Sequence, residues 1–181
     1  MQIEETTFPE VFIITPKVYG DSRGFFLASY NSREFNNAIG KEVNFVQDNH
    51  SKSAKDVLRG LHYQISKPQG KLVRVVHGAI YDVVVDIRRS SPNFGKWIGV
   101  ELNSENKKHV WVPENFAHGF LALRQDTEVL YKTTDYYDAS LEKTIRWDDP
   151  DISIEWPIEN PPRLSDKDKA SKFLVEAELP R

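Results

Sequence analysis

The sequence contains no cysteine. This absence excludes disulfide bonds, thiolate nucleophiles, iron–sulfur clusters and cysteine-bound zinc, because each of them requires a cysteine sulfur. Any chemistry in this chain must therefore come from histidine, carboxylates, lysine, tyrosine, serine or a metal ion held by nitrogen and oxygen ligands.

Long hydrophobic runs and an excess of positive charge are also missing. Uninterrupted apolar runs reach only four residues, as in 11–14 and 120–123, whereas a membrane-spanning helix needs about 20. The chain has 24 Lys and Arg against 27 Asp and Glu, so it has no positive field to hold a polyanion. We therefore expect no membrane segment and no nucleic-acid partner. The N-terminal residues MQIEETTFPE lack the basic and apolar parts of a signal peptide, which favours a cytoplasmic location.

Scattered turn residues divide the chain into short segments of strand-like composition. The 9 glycines and 10 prolines are spread along 181 residues without a linker or repeat, which predicts a single domain over residues 1–181. The connections leave no room for crossover helices, so we predict an all-β fold, an antiparallel sandwich, jelly roll or barrel. Segments rich in β-branched and aromatic residues are the predicted strands: Val11–Val18, Gly24–Tyr30, Val43–Asn49, Val57–Gln64, Lys71–His77, Ala79–Ile87, Lys96–Leu102, His109–Val112, Ala117–Leu123 and Glu128–Thr134.

Helical periodicity is present in two places only. It predicts short helices over Ser32–Ile39 and Ser165–Phe173, with Ser32 and Ser165 as the N-cap residues. Both helices would be short additions to the all-β core.

The segment Ala79–Ile87 carries carboxylates inside a strand pattern. Alternation places Tyr81 and its apolar neighbours on one face, and Asp82 and Asp86 on the other. A barrel with a polar interior would have this pattern. The alternative is that Asp82 and Asp86 face water.

The segment Val57–Gln64 contains two residues suited to chemistry on an anionic substrate, Arg59 and His62. Ideal alternation would put them on opposite faces, and a β-bulge at Gly60 would reset the parity so that both point into one cavity. An imidazole is a natural general acid or base near neutral pH. The alternative for His62 is a hydrogen-bonded core histidine.

A second histidine, His118, begins an apolar strand after a proline-led loop in Trp111–Phe120. This segment resembles the second sequence motif of the cupin superfamily. Metal-binding cupins carry two histidines one residue apart in their first motif, but here only His62 is present, followed by Tyr63 and Gln64. We therefore expect no catalytic metal. His118 is either a substrate contact or a hydrogen-bonded residue of the rim or core.

Tyr131 lies in the predicted strand Glu128–Thr134, on the same face as Val129 and Thr133. A tyrosine among apolar neighbours usually packs in a core with a tethered hydroxyl. Its strand alone does not distinguish packing from catalysis.

Taken together, the motifs of this chain resemble those of the dTDP-4-dehydrorhamnose 3,5-epimerase family. They stand in that family's order and extend from about Phe8 to Asp168. The resemblance implies a cupin-type jelly roll, a homodimer, a dTDP-linked 4-keto-6-deoxy sugar as substrate and no cofactor. The matching segments are Asp21–Phe26, Phe45–Ser51, Leu58–His62, Gln69–Arg74, Asp82–Asp86, Pro113–Phe120 and Tyr131–Lys132.

The resemblance also implies roles for individual residues. The family's catalytic base falls on His62, its paired carboxylate on Asp168, the acid on the opposite sugar face on Tyr131, and the lysine near the sugar carbonyl on Lys71. The implied substrate contacts are Arg23, Phe26, Gln47, Asn49, Arg59, His118, Tyr137, Glu142 and Lys167. Where the family usually has an acidic residue that contacts substrate, this chain has Ala28.

These roles suit epimerisation next to a ketone, which removes a proton from one face, stabilises an enolate and returns a proton to the other face. The guanidinium groups of Arg59 and Arg23 suit a diphosphate, and Phe26 is the candidate platform for the thymine ring. Three alternatives stay open: an epimerase acting at C3 or C5 only, a non-catalytic sugar-nucleotide-binding module, and a metal-dependent cupin.

Overall fold

Two antiparallel sheets make up the fold in the computed structural model, which describes residues 1–180. Arg181, the last residue of the predicted domain, lies outside the described residues. The strands are β1 (Gln2–Glu5), β2 (Phe12–Thr15), β3 (Val18–Asp21), β4 (Gly24–Leu27), β5 (Gln47–Ser53), β6 (Leu58–Gln64), β7 (Lys71–His77), β8 (Ala79–Asp86), β9 (Trp97–Asn103), β10 (His109–Val112), β11 (Phe116–Ala122), β12 (Thr127–Thr133) and β13 (Glu142–Thr144).

The strand order places the two sheets face to face as a barrel. The six-stranded sheet has the order β1-β2-β10-β7-β12-β5, the five-stranded sheet has the order β13-β6-β11-β8-β9, and β3 and β4 form a separate hairpin. Buried side chains from both sheets share one core, which includes Val73, Val110 and Val129 from the first and Ile80, Val84, Leu102, Phe116 and Phe120 from the second. The predicted all-β, jelly-roll type of fold is confirmed.

Both sheets are also covered on their outer faces. Helix α1 (Ser32–Ile39) buries Phe35 against Trp111 of the six-stranded sheet. The C-terminal segment packs Leu174 and Leu179 against Val83 and Val85 of the five-stranded sheet. Within residues 1–180 no helix is long and apolar enough to cross a membrane.

The predicted strands differ from the observed ones in a few places. The segment predicted as Val11–Val18 is two strands, β2 and β3, interrupted at Pro16 and Lys17. Proline has no N–H to give to a sheet, which accounts for the interruption. The strand predicted over Val43–Asn49 begins later, as β5, and β1 and β13 were not predicted.

The two helices are where the sequence places them, with changes at their ends. Helix α1 has the predicted bounds, but its N-cap is Asn31, whose Oδ1 accepts a hydrogen bond from the Glu34 N–H at 3.2 Å. Helix α2 spans only Asp166–Lys169, and Ser165 is its N-cap as predicted. A short 3-10 helix, Leu174–Glu176, follows separately.

The β-bulge predicted at Gly60 is present. His118 of β11 pairs with His62 of β6, and Phe120 pairs with Arg59, so that Gly119 opposes two residues of β6. Because His118 and Phe120 lie on one face of β11, Arg59 and His62 lie on one face of β6. The backbones touch here: a Cβ on Gly60 would lie 2.5 Å from Gly119 Cα.

The carboxylates of β8 are fully buried, so the alternative that they face water is wrong. Asp82 accepts a hydrogen bond from His118 Nε2 at 2.8 Å. Asp86 lies at the strand end, where Arg88 and Ser91 donate to its carboxylate. The polar interior predicted from alternation is thus present around Asp82, whereas Asp86 has its own ion pair.

Candidate active site

A cavity of about 350 Å³ opens between the two sheets. Strands β5, β7 and β12 supply one wall, and strands β6, β11 and β13 supply the other. Nine of the residues predicted for the site line this cavity: Gln47, Asn49, Arg59, His62, Lys71, His118, Tyr131, Tyr137 and Glu142. The barrel therefore brings together residues that are dispersed over most of the sequence.

The buried Asp168 carboxylate holds the His62 imidazole from behind. His62 Nε2 donates to Asp168 Oδ1 at 2.6 Å. Ser165, the N-cap of α2, donates its hydroxyl to Asp168 Oδ2 at 2.7 Å and accepts from the Asp168 N–H at 3.1 Å. Since Nε2 is engaged by the carboxylate, Nδ1 is the ring nitrogen left to accept a proton.

The charges of this pair suit a general base. Burial lowers the pKa of His62 below its usual 6.5, although Asp168 and Glu142 oppose the shift. Burial alone would raise the pKa of Asp168, but its hydrogen bonds to His62 and Ser165 outweigh burial and hold that pKa below 3.8. At neutral pH the pair is therefore a neutral imidazole beside an ionised carboxylate.

Tyr131 lies on β12, in the sheet opposite His62, and lines the same cavity. Its register is fixed by pairing with Asn49 on one side and Val73 on the other. Burial, with a smaller contribution from Glu142, raises the pKa of the phenol above 10.0. The hydroxyl therefore keeps its proton at neutral pH and is available as an acid.

Lys71 places a cation inside the cavity close to His62. Its Nζ lies 3.5 Å from the carbonyl oxygen of His62. Burial lowers the pKa of Lys71 from 10.5 to about 8, against the attraction of Glu142 and Asp82. The amine is thus still mostly protonated at neutral pH.

Three residues from separate segments of the chain are joined at the rim. Glu142 accepts from the Tyr137 hydroxyl at 2.9 Å and forms an ion pair with Lys167 Nζ at 2.6 Å. Burial would raise the pKa of Glu142, but Lys167, His62 and Tyr137 together lower it below 4.5. Lys167 is therefore connected to the cavity by its ion pair with Glu142, and it does not itself line the wall.

The polar wall around Arg59 is also ordered by hydrogen bonds. Arg59 donates its Nε to Ser53 Oγ at 3.1 Å, and Gln47 donates to Asn49 Oδ1 at 2.8 Å. Ser51 lines the cavity between them and was not predicted. Its signal was available, because residues 47, 49, 51 and 53 alternate on one face of a strand.

Two predicted substrate contacts do not reach this cavity within one chain. Arg23 lies at the tip of the β3–β4 hairpin and forms an ion pair with Asp21. Phe26 lies on β4 and is 69% exposed. Ala28 follows directly after β4. In residues 1–180 no group of three or more His, Asp or Glu side chains could hold a metal ion.

Comparison with known proteins identifies the family. The family model described as dTDP-4-dehydrorhamnose 3,5-epimerase matches residues 5–176. The chain belongs to this family. A dTDP-4-dehydrorhamnose 3,5-epimerase from Shigella flexneri is 54% identical over 179 residues, covering 98% of both chains. The resemblance inferred from the motifs, and with it the prediction of an isomerase, is confirmed.

Two solved structures that this chain resembles are complexes with nucleotide sugars. A dTDP-6-deoxy-D-glucose-3,5-epimerase from Legionella pneumophila in complex with dTDP-4-keto-L-rhamnose has a TM-score of 0.97 and 48% identity, covering 99% of this chain and 97% of that one. A 3'-monoepimerase from Streptomyces bikiniensis in complex with dTDP-quinovose has a TM-score of 0.92 and 32% identity, covering 97% and 91%. Enzymes described as acting on different numbers of carbons thus share this fold.

Proposed function

We propose that this chain inverts C3 and C5 of dTDP-4-dehydro-6-deoxy-D-glucose to give dTDP-4-dehydro-L-rhamnose, without a cofactor. The observation that carries the proposal is the placement of a base, His62 with Asp168, and an acid, Tyr131, on opposite sheets of one cavity. The cation of Lys71 lies in the same cavity.

The reaction proceeds through an enolate. His62 Nδ1 takes the proton from the carbon beside the C4 ketone, the C–H electrons form a carbon–carbon double bond, and the carbonyl oxygen becomes negative. Lys71 stabilises that oxygen, because its ammonium is already in place when the charge develops. Tyr131 then gives its proton to the opposite face of the carbon. The imidazolium returns its proton to solvent and the phenolate takes one up, which restores the enzyme.

The remaining polar residues hold the substrate. Arg59 binds the diphosphate, since its planar guanidinium matches phosphate oxygens. We assign the other contacts with the sugar and nucleotide to Gln47, Asn49, His118, Tyr137, Glu142 and Lys167. Because C3 and C5 both flank the same ketone, one base and one acid serve both centres after a small shift of the ring.

A second candidate function is epimerisation at one carbon only. It is favoured by the fold shared with a 3'-monoepimerase and by Ala28 at a position usually acidic in the family. Retention of a base, an acid and a buried lysine speaks against the further alternative of a non-catalytic binding module. The cytoplasmic location stays a prediction.

Solvent exchange tests the proposed function directly. The protein is incubated with dTDP-4-dehydro-6-deoxy-D-glucose in D₂O, and deuterium at C3 and C5 is followed by NMR. We expect label at both carbons, together with the inverted product. Label at a single carbon would replace the double epimerase by the single-carbon enzyme. Binding of dTDP without any label would leave only the binding module.

We further propose that the chain is a homodimer whose β3–β4 hairpin docks on a second copy. The hairpin exposes Tyr19, Phe25 and Phe26 by 55%, 63% and 69%, and exposed apolar patches of this kind mark interaction surfaces. Arg23 and Phe26 do not reach the cavity of their own chain. In the dimer they would contact the substrate in the cavity of the second copy.

Sedimentation velocity tests the dimer. We expect a dimer for the wild type, and an increase of about tenfold or more in the dimer dissociation constant for the Phe25→Ser/Phe26→Ser variant, because buried aromatics dominate such interfaces. Val175→Ser is the control, since Val175 is 77% exposed and lies near the C-terminus rather than on the hairpin. A wild type that stays monomeric at all concentrations would contradict the proposal.

A further inference from the structure

We propose that Ser165 is a positioning residue for catalysis, which orients the Asp168 carboxylate toward the His62 imidazole. The inference rests on the proposed function of His62 as the base. Ser165 does not line the cavity, and both hydrogen bonds of its side chain go to Asp168.

The geometry that carries this inference is a chain of three hydrogen bonds. Ser165 Oγ accepts from the Asp168 N–H at 3.1 Å, which fixes the backbone of that residue in the first turn of α2. The same hydroxyl donates to Asp168 Oδ2 at 2.7 Å, which leaves Oδ1 for His62 at 2.6 Å. Each carboxylate oxygen thus has its own partner.

The second bond is not needed for capping. An N-cap side chain stabilises a helix by accepting from a backbone N–H, and Asn31 does this for α1 through its Oδ1. Asn31 Nδ2 also donates to Glu34 Oε1 at 3.3 Å, but that bond lies on the exposed surface and away from the cavity. At Ser165 the donated bond instead ends on a carboxylate that is 4% exposed and holds the base.

Without the hydroxyl, the Asp168 carboxylate loses the partner that holds Oδ2 in place, and among its hydrogen bonds only the one to His62 then orients it. The imidazolium that forms during proton abstraction then has a weaker partner. Burial already lowers the pKa of His62, so a weaker hold from Asp168 lowers it further. The other charged groups facing His62 are Glu142, Lys167 and Lys71, and of these only Lys167 lies on α2, the helix that Ser165 caps.

The test separates orientation of the carboxylate from capping of the helix with three variants. Ser165→Thr keeps both hydrogen bonds. Ser165→Gly and Ser165→Ala have no hydroxyl and lose both hydrogen bonds. They differ as N-cap residues, because glycine is tolerated at an N-cap far better than alanine. Asn31→Gly and Asn31→Ala are matched controls at the cap of α1. Each variant is assayed for kcat, KM and the pH dependence of kcat/KM, with circular dichroism to confirm the fold.

We expect Ser165→Gly and Ser165→Ala to lower kcat by about 10- to 100-fold, the rate equivalent of one hydrogen bond to a charged group. KM should stay near the wild-type value. The acid limb of kcat/KM should move to lower pH by about 0.4–1 unit, since the imidazole loses part of its partner. Ser165→Thr should restore both quantities, and the Asn31 variants should leave both unchanged.

Two results would overturn the inference. One is a Ser165→Gly variant with wild-type kcat, which would reduce the role of Ser165 to capping. The other is a lower kcat with an acid limb that is unmoved or moved to higher pH. If the wild type itself gives no deuterium label at C3 or C5, the proposed function fails instead, so the two failures are distinguishable.

Discussion

Replacing His62 with asparagine is expected to lower kcat by about 10³-fold or more, at the upper end of what a general base contributes. Asparagine has a similar size and keeps a donor for Asp168, but its amide accepts no proton at neutral pH. The affinity for dTDP should change little, because the residues assigned to the nucleotide lie elsewhere in the cavity. The NMR assay measures kcat, and a titration with dTDP measures the affinity.

The matched control is His50→Asn. His50 lies on β5, and its exposed imidazole pairs with Glu128 at 2.9 Å outside the cavity. We expect wild-type kcat for this variant. A His62→Asn enzyme that still turns over at a comparable rate would refute the assignment of the base.

Replacing Tyr131 with phenylalanine is expected to separate proton abstraction from inversion. The ring still fills its place in the wall, but it has no proton to give to the opposite face. Formation of the inverted product should fall by about 10²- to 10⁴-fold, the usual contribution of a positioned acid. Deuterium should still enter the recovered, uninverted substrate, because His62 can return a solvent-derived proton to the face it came from. NMR of the reaction in D₂O resolves both species.

Tyr136→Phe is the control for this variant. Tyr136 is 64% exposed and lies one residue before Tyr137, outside the lining of the cavity. Its loss should leave both exchange and inversion intact. Unchanged inversion in Tyr131→Phe would show that another group delivers the proton, and the assignment would be wrong.

The strands that pack apolar side chains could be predicted from the sequence, because burial imposes a period of two on such residues. β7 and β10 have their predicted bounds. β5, with the sequence QDNHSKS, has no apolar face at all, since one side lines the cavity and the other meets solvent. The alternation of apolar and polar residues that marks a strand is missing there, so the predicted strand begins four residues before the observed one.

The candidate site could be predicted in part from local pattern. Gly60 between Arg59 and His62 predicted a bulge, and the bulge brings both side chains to one face. The partner of His62 could not be found in this way, because Asp168 is 106 residues away and sits in a segment rich in charged residues. Only the resemblance to the family pointed to it. Arg23 and Phe26 were predicted in the same way, but a single chain does not bring them to the cavity.

The contact between Gly60 and Gly119 limits which positions can be substituted to change the substrate range of this enzyme. A Cβ on Gly119 would lie 2.7 Å from the carbonyl oxygen of Arg59, so the two strands meet without side chains between them. A contact between two backbones cannot be relieved by a change of side-chain rotamer, so it does not adapt when neighbouring residues are substituted. Libraries meant to broaden substrate range would therefore vary the cavity-facing positions of β5 and the rim, and leave both glycines fixed.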